Sequence, residues 1–214
     1  VITITGVWKL VIVTISREYG ALGRSVARGL ADRLGYRLVD DDLPVVVAAR
    51  LGTSPALVES VENRSSGFGE RFLRSLGAGA PEAFDATVTD DDDLSAAALR
   101  EMERLIREAA DRDDAVIVGR GANVVLAGRP GLVRVFLRAP LDWRVRRVAE
   151  SLAVDEATAR AEIARVDGGR RAFAREHHDI EWGHPRAYDL VIDTSLFGAA
   201  GTVAILGAAV GARA

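Results

Sequence analysis

The chain has 214 residues, 49% hydrophobic and 28% charged, enough for one substantial core with room for a small inserted subdomain. Its formal net charge of −3 offers no basic surface for nucleic acid, and the absence of cysteine excludes disulfides, thiol catalysis and cysteine-held metals. Residues 1–15 show no basic leader or small-residue cleavage site, and no other segment reaches the unbroken apolar length of a membrane span, so a cytoplasmic protein without a membrane partner is expected.

In chain order, the β-branched run Leu10 to Ile15 predicts a buried strand, followed by a glycine-containing turn and a helix with Val26, Leu30 and Leu34 at helical spacing, closed at Gly35. Tyr36 to Val39 predicts a short strand ending in Asp40 to Asp42, and a helix follows from Leu43 to Arg50. Ser54-Pro55 supplies an N-cap and a proline at the first position of another short helix. Periodicity fades from Asn63 to Asp93, which predicts a mobile insertion, with the acidic run Asp90 to Asp93 as solvated loop. Leu94, Ala98, Met102, Leu105, Ile106 and Ala109 mark an amphipathic helix capped near Ser95. Strands are predicted at Ala115 to Val118, Val133 to Leu137 and Leu190 to Asp193. Helices are predicted from Leu141 to Ser151, from Asp155 to Glu176 and at the C-terminus.

Strands alternating with helices predict a three-layer α/β architecture, a five-stranded parallel sheet covered by helices on both faces. Ligands of such sheets gather at the carboxyl ends of the strands. Polar residues collect there: Ser16 to Ser25, Asp40, Arg120, and Asp193 to Ser195. The first of these segments has the layout of a phosphate-binding loop, with Gly20 and Gly23 freeing the backbone and helix-start amides facing an anion. A P-loop ends Gly-Lys-Ser/Thr, and here Gly23-Arg24-Ser25 stands in those places. The chain's single lysine, Lys9, lies upstream of the strand, and Glu18 stands where the motif has its first glycine. Either the loop follows a different path or Glu18 lies outside it.

Ile15-Ser16-Arg17-Glu18-Tyr19-Gly20 with Gly23-Arg24-Ser25, then Gly35-Tyr36 and Asp40, then Val-Ile-Val-Gly-Arg-Gly-Ala at Val116 to Ala122, form a recognisable series. It continues through Val135-Phe136-Leu137, Ala139-Pro140, Arg144 and Asp167 to Arg171, and ends on Tyr188 to Ser195. This series resembles the cytidylate kinase-like family of nucleoside monophosphate kinases. Leu22 replaces a glycine common in the loop block.

The resemblance implies one P-loop kinase-like domain over 1–214, with 43–93 as a helical or mobile acceptor-binding insertion and lid-type helices at about 141–178. It implies ATP and Mg²⁺ as cofactors, with a nucleoside triphosphate and a nucleoside monophosphate, CMP or dCMP, as partners. Gly20, Ala21, Leu22, Gly23, Arg24 and Ser25 would hold the donor phosphates, with Ser25 also reaching Mg²⁺. Arg24, Arg120 and Arg170 would be the catalytic cations, and Asp40, Arg120 and Asp167 would bind the acceptor. Arg120 matches a Gly-Arg-Asp motif whose aspartate is replaced by Gly121. Asp167 and Arg170 match the Asp-x-x-Arg of a lid helix, and the lid arginine expected one turn before it falls near Ile163, leaving that role vacant or taken by Arg165 or Arg171.

Two other readings stay open. One is a non-catalytic nucleotide-binding module; the other is a kinase for a metabolite alcohol, with Asp40 as general base. Phe68, Phe72, Leu73 and Leu76 suit a homodimer contact as well as an internal one.

Overall fold

The computed structural model describes residues 10–40, 42–56, 58 and 89–212. Strand β1 (Ile12–Arg17) runs through the centre of a parallel sheet between β3 (Ala115–Val118) and β4 (Leu132–Arg138). Strands β2 (Arg37–Val39) and β5 (Leu190–Asp193) complete the order β2-β3-β1-β4-β5. Continuous apolar runs are what such a sheet requires, because both faces of every central strand are covered. Ile12, Val13 and Ile15 are accordingly inaccessible to solvent.

Side chains alternate between two cores. On one face Ile12, Ala115 and Ile117 meet Leu43 and Val47 of α2 (Asp42–Leu51), Met102 and Ile106 of α3 (Thr89–Arg112), and Ala122 of the single-turn α4 (Ala122–Val125). On the other, Val13, Ile15, Val116 and Val135 meet Val26 and Leu30 of α1 (Gly23–Leu34) and Val203, Leu206 and Val210 of α7 (Thr194–Gly211). A third, smaller core joins α5 (Leu141–Leu152) to α6 (Glu156–His178) through Val145, Val148, Ala159 and Ile163. The α5–α6 pair stands over the carboxyl end of the sheet, where it holds the loop after β1.

Two expectations need correction. The acidic run Asp90 to Asp93 is not loop: α3 begins at Thr89, ahead of the expected cap at Ser95. Acidic residues are common near helix starts, where the dipole's positive end favours negative charge, so an acidic run in sequence is as compatible with a helix start as with a loop. The second concerns apolar length, since α7 is long and apolar enough to cross a membrane by length and composition. Here its Val203–Val210 face covers the sheet, which makes it a layer of the fold. Residues 63–88 of the expected insertion, including the apolar residues that suit a dimer contact or an internal one, lie outside the described residues.

Candidate functional site

The segment Glu18 to Leu22 connects β1 to α1. Gly20 adopts φ 83°, and a Cβ there would lie 3.0 Å from Val148 and 3.2 Å from the Arg144 side chain, so the loop can press onto α5 only as glycine. Leu22, at φ 59°, is left-handed and carries the turn into Gly23, the first residue of α1. No side chain caps α1 and its first turn holds no acidic residue, so its first amides face the cleft in front of the loop. That cleft, about 370 Å³, is lined by Arg17, Arg24, Ser25, Arg147 and Arg170 around the loop backbone.

Glu18 does begin this loop, but its carboxylate turns away. It accepts the Ala139 amide at 2.9 Å and lies 3.4 Å from Arg144 Nε. Tyr19 is held on both sides of its peptide unit: its amide donates to Asp167 Oδ1 at 2.8 Å, and its carbonyl accepts from Arg144 Nη1 at 3.1 Å. Arg144 Nη1 also donates to Asp167 Oδ2 at 2.7 Å, and both side chains are buried. This buried ion pair, satisfied by further backbone bonds, ties the loop to α5 and α6. Both oxygens of Asp167 thus serve the protein's own groups.

A second cavity, about 220 Å³, opens beside the first between the ends of β1 and β3 and the last turns of α6. Its floor is Gly119-Arg120-Gly121, three consecutive left-handed residues with φ 72°, 56° and 68°. For arginine this is a costly conformation, held because the glycines on each side share the turn. A Cβ on Gly121 would fall 2.0 Å from His178 Nε2. The space of the motif's missing aspartate is therefore filled by an imidazole from α6. His178 Nε2 is buried without a hydrogen-bond partner among the described residues. Burial pushes the imidazole's pKa down, with Glu103 opposing the shift and His177 adding to it.

Arg170 and Arg17 belong to the walls of both cavities. Arg170 Nη1 donates to the Arg17 carbonyl at 2.9 Å, lies 3.8 Å from Asp167 Oδ1, and faces the Tyr19 ring at 5.9 Å. The Arg24 side chain is 68% exposed, with Nε 4.0 Å from Asp40 Oδ2 at the end of β2. Arg24 lines the first cleft, whereas Asp40 lines neither cavity. Where a lid arginine is expected, Ile163 is buried in the α5–α6 core, Arg165 pairs with Glu162 at 2.6 Å, and Arg171 lies over the Trp182 ring at 5.8 Å.

Sequence reasoning did not single out Arg17, Arg147 or His178 for this site. Arg17 gave one signal, a charged residue closing a buried strand just ahead of a glycine turn. Arg147 and His178 gave none, because only the packing of α5 and α6 over the sheet brings them there. Ser25 supplies a hydroxyl oxygen in the exposed first turn of α1. That fits Mg²⁺, a hard cation that takes few protein oxygens and completes its shell with phosphate and water.

A parallel five-stranded sheet with a glycine loop feeding α1 and a cationic cavity beside it is the plan of a P-loop kinase fold. The chain is similar in fold to a shikimate kinase from Bacteroides thetaiotaomicron, with TM-score 0.52 and 13% identity over 94% of this chain and 98% of that one. Residues 12–196 match the model of the cytidylate kinase-like family. A cytidylate kinase of Methanopyrus kandleri is 32% identical over 137 residues, 60% of this chain and 69% of that protein. A uronate isomerase of Corynebacterium glutamicum is 29% identical over 156 residues, 72% of this chain but 30% of the isomerase. Most of the isomerase therefore has no counterpart here. The chain belongs to the cytidylate kinase-like family, a family of nucleotide kinases.

Proposed function

We propose that the protein transfers the γ-phosphoryl group of Mg²⁺·ATP to the phosphate of a nucleoside monophosphate, with CMP or dCMP as the acceptor. One observation carries the acceptor class: the cavity beside the loop is lined by Arg17, Arg120 and Arg170, and no carboxylate of the described residues joins that lining. Such a cavity favours an anion and offers no carboxylate as general base, the His178 imidazole being the titratable base of its lining. A phosphate acceptor needs none, because its oxygen is already a nucleophile. An alcohol acceptor would need one, and the candidate base Asp40 faces Arg24 instead.

In this reading the backbone from Gly20 to Ser25 holds the donor phosphates, Arg24 adds charge at the mouth of the cleft, and Ser25 supplies an oxygen to Mg²⁺. Mg²⁺ held there would neutralise phosphate charge. Arg120 holds the acceptor phosphate. A lone pair on an acceptor oxygen forms the new bond to the γ-phosphorus, while the bond to the β,γ-bridging oxygen breaks and its electron pair leaves with ADP. Arg170, at the wall common to both cavities, offsets charge on the moving group. Asp167 acts through Arg144 and Tyr19 as a positioning residue. Residues 141–178 serve as lid-type helices that exclude water.

Incubation with γ-labelled ATP, Mg²⁺ and each of CMP, dCMP, UMP, AMP and GMP tests the reading. A labelled cytidine diphosphate is expected. Tight ATP binding with label on no acceptor would turn the protein into a nucleotide-binding module.

A further inference from the structure

We propose that Arg17, and not Arg24, supplies the positive charge that the lysine supplies in a Gly-Lys-Ser loop. The proposal rests on the phosphoryl-transfer reading above and adds to it a catalytic residue.

The path of the side chain is the main observation. A Cβ on Gly23 would lie 2.6 Å from Arg17 Cγ, and a Cβ on Gly119 would lie 2.1 Å from Arg17 Nη1. Two glycines, from loops that follow two different strands, therefore leave room for one arginine. Its stem crosses the start of α1 and its guanidinium reaches the turn after β3. The glycine before Arg24 thus serves the passage of Arg17 as well as the fold of the loop. Backbone on both sides limits the rotamers of Arg17, so little freedom remains to be lost when phosphate binds.

Position is the second observation. Arg17 and Arg170 are the two residues common to the linings of the donor cleft and the acceptor cavity. The hydrogen bond from Arg170 to the Arg17 carbonyl fixes one cation against the backbone of the other. A phosphoryl group passing from one cavity to the other passes this wall. Its transition state spreads charge over three oxygens, and a fork of N–H donors there can follow that charge while one bond breaks and the other forms.

Arg24 holds the lysine's place in sequence but differs in space. Its side chain is mostly in solvent, is directed toward Asp40, and has no part in the acceptor cavity. Lys9 lies upstream of β1, so no lysine follows the strand to take the role.

The test compares Arg17→Gln, Arg17→Lys and Arg24→Gln in the full chain, by label transfer from γ-labelled ATP to CMP and by calorimetric titration with Mg²⁺·ATP and Mg²⁺·ADP. Arg17→Gln should lower kcat by about 10³-fold, the scale on which a transition-state arginine acts, and Arg24→Gln by about tenfold or less. Arg17→Lys should recover part of the loss, since it restores charge without the fork, and it covers the case in which Arg17→Gln fails to fold. An Arg24→Gln loss equal to or larger than that of Arg17→Gln would overturn the proposal. If the unmodified protein labels no acceptor, the phosphoryl-transfer reading fails by itself, and titration decides the role of Arg17. Loss of the preference for ATP over ADP in Arg17→Gln, but not in Arg24→Gln, would sustain it; an unchanged preference would end it.

Discussion

The two sides of the site are built on opposite plans. On the donor side the loop is tied down by matched polar groups: Glu18 to the Ala139 amide, and both halves of the Tyr19 peptide unit to Asp167 and Arg144. What remains is a set of helix-start amides and arginines directed at the cleft. On the acceptor side a strained left-handed turn faces a buried imidazole whose Nε2 has no partner among the described residues. The donor side is tied by hydrogen bonds to α5 and α6, whereas the acceptor side holds hydrogen-bonding capacity that a ligand could use. Uniform recognition of triphosphate on one side and selection of acceptor on the other would follow from that difference.

Removing the donor side's anchor should give the largest effect. Asp167→Ala leaves Arg144 buried without its carboxylate and the Tyr19 amide unmatched, so a loss of about 3–5 kcal/mol is expected in urea unfolding. The double variant Asp167→Leu with Arg144→Met should lose less than the single one, because it removes both charges; equal losses would mean that the pair is not the anchor. Donor binding should weaken in both, since the loop is no longer pinned.

The acceptor side is challenged by Gly121→Asp, which restores the family's motif. With the imidazole in place the new Cβ would overlap it and the left-handed turn would be strained, so the KM for CMP should rise about tenfold or more, corresponding to more than about 1.4 kcal/mol. Adding His178→Ala should return much of the loss. If Gly121→Asp alone improves CMP use, the imidazole does not occupy the motif's place in solution.

A smaller effect comes from the same imidazole on acidification. Its pKa is lowered in the fold from the ordinary 6.5, so the unfolded chain binds its proton first. The resulting stability is present above pH 6.5 and is lost as pH falls through the lowered value. Thermal unfolding between neutral and mildly acidic pH should therefore show a decline that His178→Ala reduces. The smallest change belongs to Arg165→Ala, which breaks an exposed pair with Glu162 on α6. It should cost no more than about 0.5 kcal/mol and leave label transfer in place, whereas a large activity loss would assign Arg165 the vacant lid role.

The amino-acid sequence by itself determined the alternation of strands and helices, the parallel sheet, the glycine loop at the carboxyl end of its first strand, and the family. These follow from local periodicity and from a run of neighbours such as Gly20 to Ser25, whose consequences are contained within a few residues. Bounds at the edge of the insertion were less legible, because an acidic run reads equally as solvated loop and as the first turns of α3. Only tertiary structure decided which arginine faces which cavity. Arg24 occupies the motif position and leans outward, while Arg17, outside the motif's last three residues, crosses two glycines to reach both cavities. The same holds for Asp167 and His178, whose sequence positions lie far from the loops they serve. A side chain's partners across the carboxyl end of a sheet depend on how separate helices pack over it, and no local pattern encodes that packing.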